Sequence, residues 1–176
     1  MVDYPLLWGQ AAGLLSGEPD PLANVANFAA FAFSEIPQLN WAGFYFAHPN
    51  GDLVLGPFAG RPACTRLPQG RGVCGAAFTS GTIVVVDDVN AYADHIVCDS
   101  ASLSEIVVPI LAGDRVVAVF DIDAPVRARF GAADRAGIET LVAIVAPYAA
   151  QLAEALAANP RTNGAHASNG IGIAKW

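Results

Sequence analysis

The segment SEIVVPIL, the pair Gly113 and Asp114, and the segment RVVAVFDID constrain the fold more than any other part of the chain. Two runs rich in β-branched residues on either side of a Gly-Asp turn read as an antiparallel hairpin, because branched side chains suit a pleated surface. A second hairpin lies upstream: NWAGFYF at 40–46, the turn pair Asn50 and Gly51, and then LVLGPF. TIVVV at 82–86 adds a further strand. Between these segments, Asp20 and Pro21 stand in the order of an N-cap and first helical residue, and Leu22, Val25, Ala26 and Ala29 follow at helical spacing. The spacing predicts a helix from about Asp20 to Glu35, preceded by a shorter one around Pro5 to Leu15. GRGVCGAAFTSG reads as a short, closely packed helix stopped by Gly81, and DDVNAYADHIVCDSAS as a loop. Ile138, Leu141, Val142, Val145, Tyr148 and Leu152 trace the stripe of a final helix over Ala132 to Ala157, with Pro147 inside it. The fold class is therefore α+β: a mainly antiparallel sheet with helices packed on it, a single domain over residues 1–158. Residues 159–176 are rich in Gly, Asn and Ala without periodicity and are expected to form a flexible tail.

Composition narrows the function classes. No run approaches the ~20 apolar residues of a bilayer span, and the N-terminal MVDYPLLWGQ lacks the features of a secretory signal, so a cytoplasmic protein is expected and no membrane role. Sixteen acidic against nine basic side chains give a net charge of −7, which repels a phosphate backbone and argues against a nucleic-acid partner. Cys64, Cys74 and Cys98 are an odd number, which disfavours a structural disulfide framework and leaves metal binding, redox chemistry or inert burial.

Two groups of residues invite chemistry. In VVAVFDIDAP, strand alternation puts Asp121 and Asp123 on one face with Val117 and Val119. Glu105, on the partner strand, joins them if the hairpin loop has an odd number of residues, such as Ala112 to Asp114, which would set it opposite Asp121. The three acids are then either a solvated strand end or a site for a cationic ligand that includes an acid of raised pKa. Cys98 lies in a polar loop near His95, which suits a reactive thiol; Cys74 lies near a helix start whose amides would activate it; Cys64 lies in an irregular loop. Burial as a small hydrophobe is the alternative for each. A zinc site from Cys64, Cys74, Cys98 and His95 is disfavoured because no Cys-x-x-Cys pair is present, so no metal is expected. GRGVCG lacks the ending of a phosphate-binding loop and reads as a tight turn. Trp41 and Tyr45 share a strand face, as core packing or as a ligand cage.

NWAGFYF, LVLGPFAGRPAC, GRGVCGAA, VDDVNAYADHIVCDSASLSEIVVPI and FDIDAP, in this order, resemble the GAF-domain free methionine-(R)-sulfoxide reductases over about Gly13 to Tyr148. The resemblance implies a GAF-like fold and reduction of the free amino acid by a catalytic Cys98, with Cys64 and Cys74 as resolving and recycling thiols. It also implies a substrate site lined by Glu105, Asp121 and Asp123, an aromatic cage from Trp41 and Tyr45, a homodimer, and thioredoxin as electron source. LSEIVVPI, FAG and FDIDAP depart slightly from the family's usual forms, and none of these changes removes a catalytic side chain. The chemistry fits the residues: a Cys98 thiolate attacks sulfur while an acid, Asp123 or Asp121, protonates the oxygen. The resulting sulfenic acid condenses with a second thiol, so no cofactor is needed. The rival expectation is a GAF sensor module that binds a small molecule or senses oxidants without turnover.

Overall fold

The computed structural model describes residues 2–158, so the expected tail at 159–176 lies outside the described residues. Helices α1 (Tyr4–Leu15) and α2 (Pro21–Glu35) lead into strands β1 (Trp41–Ala47), β2 (Leu53–Gly60) and β3 (Arg66–Leu67). Helix α3 (Gly72–Ser80), β4 (Val84–Val86), β5 (Ser104–Ala112), β6 (Arg115–Ala124) and α4 (Ala132–Ala158) complete the order. The local signals act as read. Asp20 caps α2 by accepting from the amides of Leu22 and Ala23, and Gly81 ends α3 in the left-handed conformation at φ 66°. The brief strand β3 carries no sequence signal of its own.

The sheet runs β3-β2-β1-β6-β5-β4 with antiparallel neighbours throughout. Helices α1, α2 and α4 cover one face, where Phe28, Phe44, Phe120, Ile106, Ile122, Ile138 and Leu141 form the main core. Phe120 anchors it, with ring centroids 5.2 Å from Phe28 and 4.6 Å from Phe44. The other face carries a smaller cluster under α3 and the loops, built from Trp41, Tyr45, Val107, Val119, Leu67 and Val73.

Register in the β5–β6 hairpin departs from the odd-loop expectation. Ala112 pairs with Arg115, so the turn is the even, two-residue one, Gly113 and Asp114. That turn alone would put Glu105 on the face away from Asp121. The register shifts between Ile110 and Leu111, however, and Ile110 faces Ala118, which leaves Val117 as an extra residue on β6. The bulge restores the face: Glu105 pairs with Asp123 and Val107 with Asp121. Val117, expected beside Val119, packs instead in the helix-side core next to Ala118.

Contrary to the expectation that no segment could span a bilayer, α4 is long and apolar enough to do so, with a stretch of mean hydropathy 1.6. It serves here as a core helix, packed on α1, α2, β5 and β6. Its fit against α1 depends on Gly137, because a Cβ there would run into the Tyr4 ring, whose hydroxyl donates to Asp134 Oδ1 at 2.7 Å. A Gly137→Ala substitution gains about 1 kcal/mol of helix propensity and loses about 1–3 kcal/mol to overpacking. The expected net result is a lower urea midpoint than wild type; an equal or higher midpoint would show that the α1–α4 contact has slack.

Candidate active site

Strand pairing builds the site. Along β1 and β6, Trp41 faces Asp123, Gly43 faces Asp121 and Tyr45 faces Val119, while Glu105 of β5 flanks Asp123 from the other side. The five side chains expected to bind substrate therefore share one patch of the sheet. Gly43 makes it possible: a Cβ there would strike the Phe58 Cβ and lie 2.5 Å from Trp41 Cη2, so the indole lies across bare backbone. Trp41 stacks on Tyr45 at 5.8 Å and on Phe58 at 5.5 Å. Both aromatic residues also hold the Cys64 loop, a role the sequence does not announce. Trp41 Nε1 donates to the Arg61 carbonyl at 3.1 Å, and the Tyr45 hydroxyl donates to the Cys64 carbonyl at 3.0 Å.

Glu105 and Asp121 are buried and Asp123 is half-buried, which excludes the solvated strand end. Glu105 is 5% exposed and Asp121 6%, and Asp121 Oδ1 has no hydrogen-bond partner among the described residues. Among the described residues the one ion-pair contact of the three acids is His95 Nε2 to Glu105 Oε2 at 3.8 Å. Burial, and then the charges of Asp121 and Asp123, push Glu105 well above the usual carboxylate range. Burial pushes Asp121 up to about 7. Asp123 is raised well above its ordinary value by burial and by Asp121, against a hydrogen bond from Ser102. Burial lowers the His95 pKa, which favours the neutral ring.

Cys64 and Cys98 form a disulfide with Cα atoms 5.3 Å apart, and Cys74 is free. The four-residue zinc set is thus divided, two of its thiols being bonded to each other. Cys74 is 4% exposed, with Sγ 4.0 Å from Glu105 Oε1. The expected activation by helix-start amides is overturned: burial, then the charges of Asp121 and Glu105, drive this thiol well above its ordinary value. The tight-turn reading of GRGVCG holds, since a Cβ on Gly75 would lie 2.6 Å from the Gly70 carbonyl carbon.

The loop bearing Cys98 is fastened at both ends. Arg71 Nε donates to Asp94 Oδ1 at 2.7 Å, and Asp94 Oδ2 accepts from the Gly72 amide at 3.2 Å. Beyond Cys98, Asn40 Nδ2 donates to Asp99 Oδ2 at 3.2 Å and to Ser102 Oγ at 2.9 Å. Asn40, Arg71 and Ser102 carry no signal in the sequence, because single polar residues have no spacing pattern. Two cavities of about 30 Å³ flank the disulfide. One is lined by Cys74, His95, Cys98 and Glu105, the other by Cys98, Ser102, Glu105 and Asp123. Each has room for a water and none for an amino acid.

The buried acids set a pH dependence. Asp121 holds its proton in the fold up to about 7, against an ordinary value of 3.8, so the folded chain binds a proton that the unfolded chain releases. The stability from that protonated form is complete at low pH and is lost as pH rises through about 7. His95, with its lowered pKa, acts oppositely and only towards acid. The ligand-free, disulfide-bonded protein is therefore expected to unfold at lower urea at about pH 8 than at about pH 6.5. Asp121→Asn should shrink that difference; an unchanged difference would mean that Asp121 is ionised in the fold across this range.

Residues 23–148 match the GAF domain family. The protein YtsP of Bacillus subtilis is 51% identical over 133 residues, covering 75% of this chain and 82% of that protein. The free methionine-R-sulfoxide reductase of Escherichia coli is 44% identical over 130 residues, covering 74% of this chain and 78% of that enzyme. Among solved structures, the free methionine-R-sulfoxide reductase of Neisseria meningitidis in complex with its substrate superposes with a TM-score of 0.80 at 40% identity, covering 85% of this chain and 91% of that one. With this fold, this run of aligned residues and this disulfide, the chain belongs to the free methionine-R-sulfoxide reductases of the GAF-domain family.

Proposed function

We propose that the chain reduces free methionine-(R)-sulfoxide to methionine with Cys98 as nucleophile, Asp123 as acid and Cys64 as resolving thiol. The observation that carries this reading is that Cys98, already paired with Cys64, lines the same cavity as Asp123 and Glu105. The Cys98 thiolate attacks the sulfoxide sulfur while Asp123, kept protonated by burial and by Asp121, gives its proton to the oxygen. Methionine leaves with its sulfur reduced, and the oxygen stays on Cys98 as a sulfenic acid. Cys64 then attacks that sulfur, forming the disulfide and releasing the oxygen as water. An external dithiol restores both thiols by exchange and is itself oxidised to a disulfide.

Glu105 and Asp121 hold the substrate ammonium, which restores the cation these buried acids lack. A methionine sulfoxide inside a peptide has no such charge and would leave the acids unpaired. Trp41 and Tyr45 face the methyl end. The small cavities support a cycle in which reduction of the disulfide precedes substrate entry, since the bonded form has no space for the amino acid. The reductant is a thioredoxin-type dithiol protein, and a reducing cytoplasm is the compartment such a cycle requires. A homodimer fits the apolar side chains that α1 leaves exposed, Leu6, Trp8 and Leu14.

Turnover of both sulfoxide epimers, with dithiothreitol as reductant, tests the reading. The R epimer is expected to be reduced, the S epimer little or not at all, and Cys98→Ser to lose turnover by a factor of about 1,000 or more. Equal rates in that variant would remove Cys98 as the nucleophile, and binding of the sulfoxide without turnover would favour a sensor. Asp121→Asn is expected to raise KM at least about tenfold, because a charge-assisted contact to the ammonium is worth roughly 1.5–3 kcal/mol.

A further inference from the structure

Cys74, to which the resemblance gives a recycling role, is buried and free beside two of the acids, and its surroundings give it a second use. Its Sγ and the carboxylate oxygens of Glu105 and Asp121 all lie within 4.8 Å of one another. Sγ and Glu105 Oε1 are 4.0 Å apart, and a tetrahedral zinc with usual Zn–S and Zn–O bonds needs about 3.6 Å between two such donors. A shift of a few tenths of an ångström closes the Cys74–Glu105 pair, and the remaining separations, all within 4.8 Å, close by about 1.2 Å at most. The donors sit on α3, β5 and β6, elements of regular structure that hold them in place.

A second feature points to a ligand. Asp121 is 6% exposed, its Oδ1 is buried with no hydrogen-bond partner among the described residues, and one of its carboxylate oxygens lies within 4.8 Å of the donor atoms of Cys74 and Glu105. No lysine or arginine pairs with either acid among the described residues. An ammonium group satisfies the carboxylates and gains little from the sulfur, because a thiol is a weak acceptor. A thiophilic cation uses all three donors.

We propose that Cys74, Glu105 and Asp121 form a site for a thiophilic divalent cation such as Zn²⁺, which takes the place of the substrate ammonium and thereby inhibits the enzyme. The cation displaces to solvent the Cys74 proton and the protons that Glu105 and Asp121 hold, and makes one metal–sulfur and two metal–oxygen bonds, leaving a fourth position for water. Binding at the site stands on the donor geometry alone. Inhibition rests on the proposed function, in which Glu105 and Asp121 hold the ammonium.

The experiment uses the disulfide-bonded protein, in which Cys64 and Cys98 cannot ligate. Titration with Zn²⁺ by calorimetry, in buffer free of reductant and chelator, is expected to show one ion per chain. Cys74→Ser and Asp121→Asn should each weaken it at least about tenfold, as loss of a ligand does. Co²⁺ should give a near-ultraviolet thiolate-to-metal band that Cys74→Ser abolishes. Undiminished binding in both variants, or a cobalt band that persists without Cys74, would overturn the site. In a single-turnover assay of pre-reduced, desalted enzyme, one equivalent of Zn²⁺ should suppress methionine formation, and excess sulfoxide should restore it. Zinc bound without suppression would overturn the inhibition, whereas absence of turnover in the zinc-free control would count against the proposed function.

Discussion

A single extra residue in β6, Val117, decides which side of the sheet carries Glu105 of β5. The tight Gly113–Asp114 turn, left to itself, would send Glu105 to the helix-covered face, where a carboxylate would lie among Phe44, Phe120 and Ile122. The bulge inverts the alternation between the turn and the rest of the hairpin, so that Glu105, Asp121 and Asp123 meet on the opposite face. It also draws Val117 into the helix-side core. Hairpin register and site composition are thus one constraint.

Three carboxyl groups on an apolar sheet would not persist in the fold as three anions. Burial raises the affinity of each for its proton, and Asp121 raises Glu105 and Asp123 further, so the ligand-free site retains protons at neutral pH. The same burial makes the site selective. In the proposed reaction the protonated Asp123 beside Cys98 donates to the oxygen, while Glu105 and Asp121 take the cation. An acid and a cation site arise from one residue type because their neighbours differ.

The disulfide loop depends on the sheet for its place. Trp41 and Tyr45 contact the backbone at Arg61 and Cys64, and Asn40 reaches Asp99 and Ser102 on either side of the turn after Cys98. All three belong to the segment NWAGFYF, so one strand end positions both sulfur-bearing loops. That arrangement gives thiols carried on loops a defined position relative to the acids.

Local chemistry alone determined much of this protein. The helix caps at Asp20 and Gly81, the alternation of β1 and β6, the two hairpins and the apolar stripe of α4 were legible because each depends on residues a few positions apart. The shared face of Asp121 and Asp123 was legible for the same reason. Partners distant in sequence were decided only by tertiary structure. It paired Glu105 with Asp123 through a bulge no motif marks, joined Cys64 to Cys98, and set Cys74 against Glu105. It also set the acids in place without a basic partner other than His95 among the described residues. These outcomes follow from packing across the sheet, where the environment of a side chain is made by other strands and by α3. A one-dimensional pattern fixes which way a residue points along its own strand and leaves open what it will meet there.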